Sequence, residues 1–117
     1  NQGLCALAAT IFLSTLGKKG LHEIAILNVR KAHYLKSRLA SISGFAIKFI
    51  THSFNEFVLQ CQRPTEEVLN LLKEDKIIGG YPLEQHYPEL KNCLLVCATE
   101  LNSQKDMDRL AEKLEKM

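Results

Sequence analysis

The sequence has little net charge, because 15 lysines and arginines nearly balance 13 aspartates and glutamates in 117 residues and leave a formal charge of +2. This balance excludes a strongly basic footprint for nucleic acid and gives no argument for binding an anionic membrane surface. With 46% hydrophobic and 24% charged residues, the chain also lacks the composition of a disordered, collagen-like or disulfide-dense protein. Its length is that of one domain.

Residues spaced for a metal site are also missing. The four histidines form no HExxH motif and no Cys-His pair at zinc spacing, and the four cysteines lie in hydrophobic surroundings. Cys93 and Cys97 would share one face of a strand about 13 Å apart, which is too far for a disulfide bond. We therefore expect free, buried thiols, a reducing compartment and no metal site.

Charge is absent from residues 1–17, and the chain begins with Asn rather than Met. A membrane-spanning helix needs about 20 apolar residues, and this run is shorter. In a secretory signal the basic residues precede the apolar run, whereas here Lys18 and Lys19 follow it. We expect a helix buried between layers of a larger protein, of which this chain is a part. Without those layers, the face around Leu4, Leu7, Ile11 and Phe12 would be exposed or covered by a second copy.

Hydrophobic periodicity predicts two N-terminal helices, at about residues 4–16 and 21–41, joined by a turn that contains Gly17 and Gly20. The second helix carries an inward-facing stripe at spacings of three and four residues. Its members are Leu21, Ala25, Asn28, Ala32, Leu35, Leu39 and Ile42.

Apolar runs predict four strands, at residues 45–50, 56–61, 77–78 and 93–98, and the first two alternate with period two. Two more helices are expected, one starting at Thr65 as N-cap and one at Ser103, which forms a capping box with Asp106. This order indicates an α+β fold with a small, mainly antiparallel sheet and helices on one face, in a single domain over residues 1–117.

Polar motifs in the chain have structural explanations that compete with functional ones. Gly79-Gly80 lacks the further glycines of a phosphate loop, so a turn is favoured. Glu66-Glu67 stands at a predicted helix start, where carboxylates usually complement the helix dipole. Residues 97–100 end an apolar strand with two polar side chains, but no nucleophile and base stand nearby. The residues alone assemble no catalytic constellation.

Four stretches of the chain nevertheless match one known family in order and spacing: NQGLCALAATIFL (residues 1–13), FNEF (54–57), IIGG (77–80) and CATELN (97–102). They resemble the C-terminal part of subunit 1 in the bacterial glycine dehydrogenase (decarboxylating) family, the P proteins of the glycine cleavage system. The tail, residues 102–108, also resembles the small domain of type I pyridoxal-phosphate enzymes. The resemblance implies the C-terminal domain of an aminotransferase-like, PLP-dependent transferase fold, with residues 1–42 linking it to a large domain.

The resemblance also implies a function in glycine catabolism. With subunit 2, such a protein decarboxylates glycine on pyridoxal phosphate and passes the aminomethyl group to the lipoyl arm of the H protein. The lysine that holds the cofactor belongs to subunit 2, so subunit 1 would be the structural half of a cytoplasmic heterotetramer. This part alone is expected to bind no cofactor, to be inactive and to self-associate, without nucleic-acid or membrane partners.

By position in the matching motifs, the resemblance implies candidates for the active-site mouth at Asn1, Gln2, Thr99 and Glu100, whereas a helix cap and a strand end explain the same residues structurally. Many relatives in the wider fold bind a substrate carboxylate through an arginine on the last strand, and that position is Leu95 here. An ordinary aminotransferase is therefore disfavoured. A stand-alone α+β protein-interaction module without catalytic activity remains the alternative.

Overall fold

A computed structural model describes all residues, from Asn1 to Met117, as three helices and one four-stranded sheet. The helices are α1 (Gln2–Ala40), α2 (Thr65–Glu74) and α3 (Gln104–Glu115). The strands are β1 (Phe45–Ile47), β2 (Glu56–Cys61), β3 (Tyr81–Pro82) and β4 (Cys93–Cys97), with a 3-10 turn at Pro88–Leu90.

The sheet is antiparallel throughout and has the spatial order β1-β2-β4-β3. Its register pairs Phe57 with Val96 and Leu59 with Leu94, so these four buried side chains lie on one face. All three helices pack on that face and close a single core. The predicted α+β arrangement, with a small antiparallel sheet and helices on one side, is confirmed.

One cluster of buried side chains joins α1, β2, α2, β4 and α3. Its members are Ala32, Leu35, Leu39, Ile42, Phe57, Leu59, Cys61, Val68, Leu72, Leu94, Val96, Ala98, Met107, Leu110, Ala111 and Leu114. The predicted stripe on α1 is confirmed from Asn28 onward, whereas Leu21 is exposed and Ala25 only half-buried. The core reaches only the second half of α1, and this limit explains the difference.

The two predicted N-terminal helices form one helix with a kink. Gly17 alone leaves the helical conformation, with φ 63° and ψ −178°, while Gly20 stays helical. A positive φ of this kind favours glycine, because a side chain would clash with the backbone. The predicted turn is therefore one residue long, and it separates an N-terminal segment (residues 2–16) from the packed second half of α1.

At Gly79 and Gly80 the backbone lies very close to other atoms of the domain. A Cβ at Gly79 would lie 2.2 Å from Leu72 Cδ1, and a Cβ at Gly80, which has φ 148°, would lie 2.7 Å from the carbonyl oxygen of Leu95. The predicted strand at residues 77–78 is wrong. This segment leads into Gly79 and Gly80, and pairing with β4 begins only at Tyr81.

Two other local predictions also need correction. β1 ends at Ile47 and does not reach residue 50, since Phe49 and Ile50 are exposed and only Lys48 continues the pairing, by donating its N–H to the oxygen of Val58 at 2.9 Å. Thr65 is buried and does not cap α2. Its hydroxyl donates to Glu84 Oε1 at 3.1 Å.

One of the two hydrogen bonds of the predicted capping box is present at the start of α3, the one from the backbone N–H of Asp106 to Ser103. The N–H of Asp106 donates to Ser103 Oγ at 3.1 Å, and the Ser103 hydroxyl donates back to the Asp106 carboxylate at 2.5 Å. This contact fixes the start of α3 immediately after the turn that follows β4.

Cys93 and Cys97 lie on the face of the sheet opposite the helices, where they pair with Gln60 and Glu56, so the prediction that they share a face is confirmed. All four cysteines are free thiols. Cys93 and Cys61 are buried as expected, whereas Cys97 and Cys5 are exposed. Cys97 lies at the uncovered end of β4 and Cys5 on the uncovered N-terminal segment.

Replacement of the buried Leu72 by alanine should lower the free energy of unfolding by about 2–5 kcal/mol, because the side chain is fully buried and would leave a cavity. The control Ile78→Ala changes a side chain that is 97% exposed and should stay within about 0.5 kcal/mol of wild type. Urea unfolding followed by circular dichroism measures both, and equal losses would contradict the packing described.

Cys97 should react with iodoacetamide well before Cys61 at about pH 8, where thiolate content and access set the rate. Burial raises the pKa of Cys61 to about 11, with a smaller contribution from Cys93, so Cys61 stays protonated as well as inaccessible. Partial burial also raises the pKa of Cys97, but its side chain is open to solvent. Peptide mass spectrometry after timed quenching gives the two rates, with urea-unfolded chain as control.

Candidate functional site

The turn between β4 and α3, residues 98–103, carries two of the predicted site residues and is called the β4–α3 turn below. The N–H of Thr99 donates to Asn102 Oδ1 at 2.7 Å, and the N–H of Asn102 donates to the Thr99 carbonyl at 3.1 Å. The N–H of Leu101 donates to Thr99 Oγ1 at 3.3 Å. The turn is thus closed by its own side chains, as is typical of Asn and Thr in turns.

α1 anchors the same turn to the body of the domain. Asn28 Nδ2 donates to Glu100 Oε2 at 3.1 Å and to the Ile24 carbonyl at 2.9 Å, so this buried amide is satisfied. Lys31 Nζ donates to the carbonyl oxygens of Glu100 and Asn102, the latter at 2.6 Å. Two residues of α1 therefore hold a turn about seventy positions later in the chain.

Lys31 is not an ordinary surface lysine, although its sequence context suggests one. The side chain is half-buried, and its ammonium is committed to two carbonyls. A polar Asn28 inside an otherwise apolar stripe was the one available signal that this part of α1 meets polar groups. Nothing in the sequence pairs Lys31 with the turn, because that contact arises only when α1 and β4 pack together.

Asn1 and Gln2 lie at the opposite end of α1, beyond the kink, and both are exposed. Asn1 is the N-cap, and its Oδ1 accepts from the N–H of Leu4 at 2.9 Å. No hydrogen bond in the chain links Asn1 or Gln2 to Thr99 or Glu100. The domain itself does not assemble the four predicted residues into one site, and their role at an active-site mouth stays a prediction.

A cleft of about 410 Å³ opens beside the β4–α3 turn, between β4, α3 and residues 76–80. Its lining includes apolar side chains such as Leu95 and Met107 and the polar residues Asn102, Asp106 and Arg109. Arg109 donates to the carbonyl of Asp75, outside the turn. No three histidine, cysteine or acidic side chains come together anywhere in the chain, so the cleft offers shape and hydrogen bonds without a metal cluster.

Polar contacts outside the cleft join α1 to α3. The Tyr34 hydroxyl donates to Asp108 Oδ1, and this bond to a carboxylate raises the pKa of the phenol. One turn further along, the Arg38 guanidinium bonds to the carboxylate of Glu115. These contacts fix the angle at which α3 leaves the turn.

The N-terminal segment of α1 presents an uncovered apolar surface. Every residue from 1 to 15 is exposed, and Leu4 and Ile11 expose 66% and 58% of their surface. By length and composition alone α1 is also apolar enough to cross a membrane, a test that core helices of soluble proteins pass as well. A surface of this kind marks a contact with another protein surface or with lipid.

Comparisons with known proteins identify the family. The family model of the glycine cleavage system P-protein matches residues 1–114. The probable glycine dehydrogenase (decarboxylating) subunit 1 of Anoxybacillus flavithermus is 46% identical over 114 residues, which are 97% of this chain and 25% of that protein. The protein of the same name from Solibacter usitatus is 50% identical over 112 residues, 94% of this chain and 23% of that protein.

Solved structures agree. A crystal structure of glycine decarboxylase (P-protein) of the glycine cleavage system, in inhibitor-bound form, aligns with a TM-score of 0.81 at 34% identity, over 91% of this chain and 24% of that one. A phosphoserine aminotransferase from Cytophaga hutchinsonii aligns with a TM-score of 0.67 at 13% identity over 92% of this chain, which supports the aminotransferase-like fold alone. The chain spans about a quarter of the length of the curated relatives, and it belongs to the glycine cleavage system P-protein family.

Proposed function

We propose that this chain is the C-terminal small domain of a P-protein subunit 1, which with a subunit 2 decarboxylates glycine and transfers the aminomethyl group to the lipoyl arm of an H protein. The observation that carries the proposal is the family match over residues 1–114, together with relatives named as subunit 1 of glycine dehydrogenase. The chain spans about a quarter of those relatives, so the activity belongs to a longer polypeptide and its assembly.

The residues present here do not fit pyridoxal phosphate, the cofactor that the fold family implies. The cofactor needs a free lysine amine and a cradle for its phosphate. The three half-buried lysines are committed, Lys31 to the β4–α3 turn, Lys36 to the Thr51 carbonyl and Lys113 to an aspartate. The backbone at Gly79 is closed by a core leucine. This supports a role as the structural half, with the cofactor held by subunit 2.

The proposed contribution of this domain is to shape the mouth of the active site. Thr99 and Glu100 would do so from the β4–α3 turn, and Asn1 and Gln2 from the start of α1. The support is that two side chains of α1 fix the turn, while Asn1 and Gln2 stand on a surface that nothing in this chain covers. The four residues would come together only in the longer protein.

Residues 1–42 would connect this domain to the large domain, whose surface would cover the N-terminal segment. The support is that the family model includes this segment from residue 1, which ties its apolar face to the P-protein fold. A cytoplasmic heterotetramer, with glycine and a lipoylated H protein as partners and neither nucleic acid nor membrane, completes the proposal. The alternative is a stand-alone interaction module, which the same exposed face favours.

Full-length subunit 1 co-purified with its subunit 2 and supplied with pyridoxal phosphate should catalyse glycine–carbon dioxide exchange when lipoylated H protein is added. The chain of residues 1–117 alone should show no cofactor absorbance after dialysis and no exchange, because each of its half-buried lysines is already bonded and a core leucine closes the backbone at Gly79. An inactive reconstituted complex would favour the interaction module, and retained cofactor absorbance in the short chain would contradict the assignment of the cofactor to subunit 2.

The short chain should self-associate through the N-terminal segment, because its apolar side chains lie in water. Ile11→Asp should shift the particle toward monomer in size-exclusion chromatography with light scattering, since a charge in the interface is costly. Ile78→Asp is the matched control at an exposed isoleucine outside the segment and should leave the oligomer unchanged. A monomeric wild-type chain would refute this expectation.

A further inference from the structure

The β4–α3 turn is unusual in being both exposed and firmly held. Leu101 at its tip is 86% exposed, and Thr99 and Glu100 are half-buried, so beyond Ala98, which is buried in the core, little apolar burial keeps the turn in place. Exposed turns without such burial are normally among the least stable parts of a fold. Here side-chain hydrogen bonds from α1 supply the missing restraint.

Lys31 restrains the main chain of the β4–α3 turn. Its ammonium is the partner of two carbonyl oxygens, those of Glu100 and Asn102, and neither oxygen accepts a backbone hydrogen bond. Bonds from a charged donor are stronger than neutral ones. One cation therefore fixes the backbone on both sides of Leu101.

Asn28 restrains the side chain rather than the backbone. Its amide holds Glu100 Oε2 at 3.1 Å, while Glu100 Oε1 has no hydrogen-bond partner in the chain. The two α1 residues together set the backbone and the carboxylate orientation of Glu100. Fixed orientation of this kind is what a site residue needs, because small misplacements of reacting or binding groups lower rates strongly.

We propose that Lys31 is a positioning residue of the assembled enzyme: its ammonium holds the β4–α3 turn so that Glu100 presents its free carboxylate oxygen at the active-site mouth. The inference rests on the proposed function, because only the complete complex has an active site. Lys31 itself touches no substrate and acts through the turn.

Lys31→Met in the full-length subunit, assembled with subunit 2, should lower kcat/KM of glycine–carbon dioxide exchange by about tenfold or more, since the loss acts through misplacement. Methionine keeps the apolar stem and removes the ammonium. Lys31→Arg retains donors for both carbonyls and should restore most of the activity. The matched control is Lys36→Met on the same helix, where the ammonium bonds to the Thr51 carbonyl at 3.3 Å, and it should behave as wild type.

Thermal midpoints and the assembled fraction separate positioning from a general loss of structure. Lys31→Met is expected to have the same thermal midpoint and the same assembled fraction as Lys36→Met. If the exchange rate of Lys31→Met falls only in proportion to its assembled fraction, the inference is overturned. Where Lys31→Met fails to assemble, Asn28→Ala removes the Glu100 anchor and should also slow exchange, with an unchanged rate overturning the inference. An inactive wild-type complex would refute the proposed function and the inference with it, whereas an active complex with equal rates for both lysine variants refutes the inference alone.

Discussion

The rest of the structure depends on the packing of the second half of α1 against one face of the sheet. Leu35 and Leu39 meet side chains of β2, β4 and α3 in one core, and the remaining helices close around that contact. α1 contacts β1 and β2 as well as α3. Its position therefore determines where the β4–α3 turn can lie.

The face of α1 that packs on the core also carries polar side chains. Asn28 within the stripe and Lys31 and Tyr34 beside it bond to the turn and to α3. Neighbouring positions on one helix thus supply the burial that stabilises the domain and the polar contacts that orient its candidate site. The contribution that we propose for this domain in the longer protein is therefore one of geometry.

Hydrophobic periodicity predicted the features of the fold that local spacing determines. The boundaries of β2, the buried face of α3 and most of the α1 stripe follow from alternation and from three- and four-residue spacing. The errors at residues 77–78 and at Thr65 arose where a contact distant in sequence decides the structure: Leu72 and Leu95 enclose the glycine pair, and Glu84 takes the threonine hydroxyl. Of the candidate site, Thr99 and Glu100 are predictions from a motif, whereas the role of Lys31 depends on a contact about seventy residues away that no local pattern encodes.

Gly17 has a consequence for how the chain tolerates change. Its positive φ interrupts the helix, so residues 2–16 and residues 28–42 belong to different hydrophobic environments although one helix connects them. A survey of substitutions scored on the stability of this domain would class the first group as free to vary. Under the proposed cover of this segment by the large domain, the same survey scored on assembly of the longer protein would rank those positions among the most restricted, and Gly17 would separate the two groups.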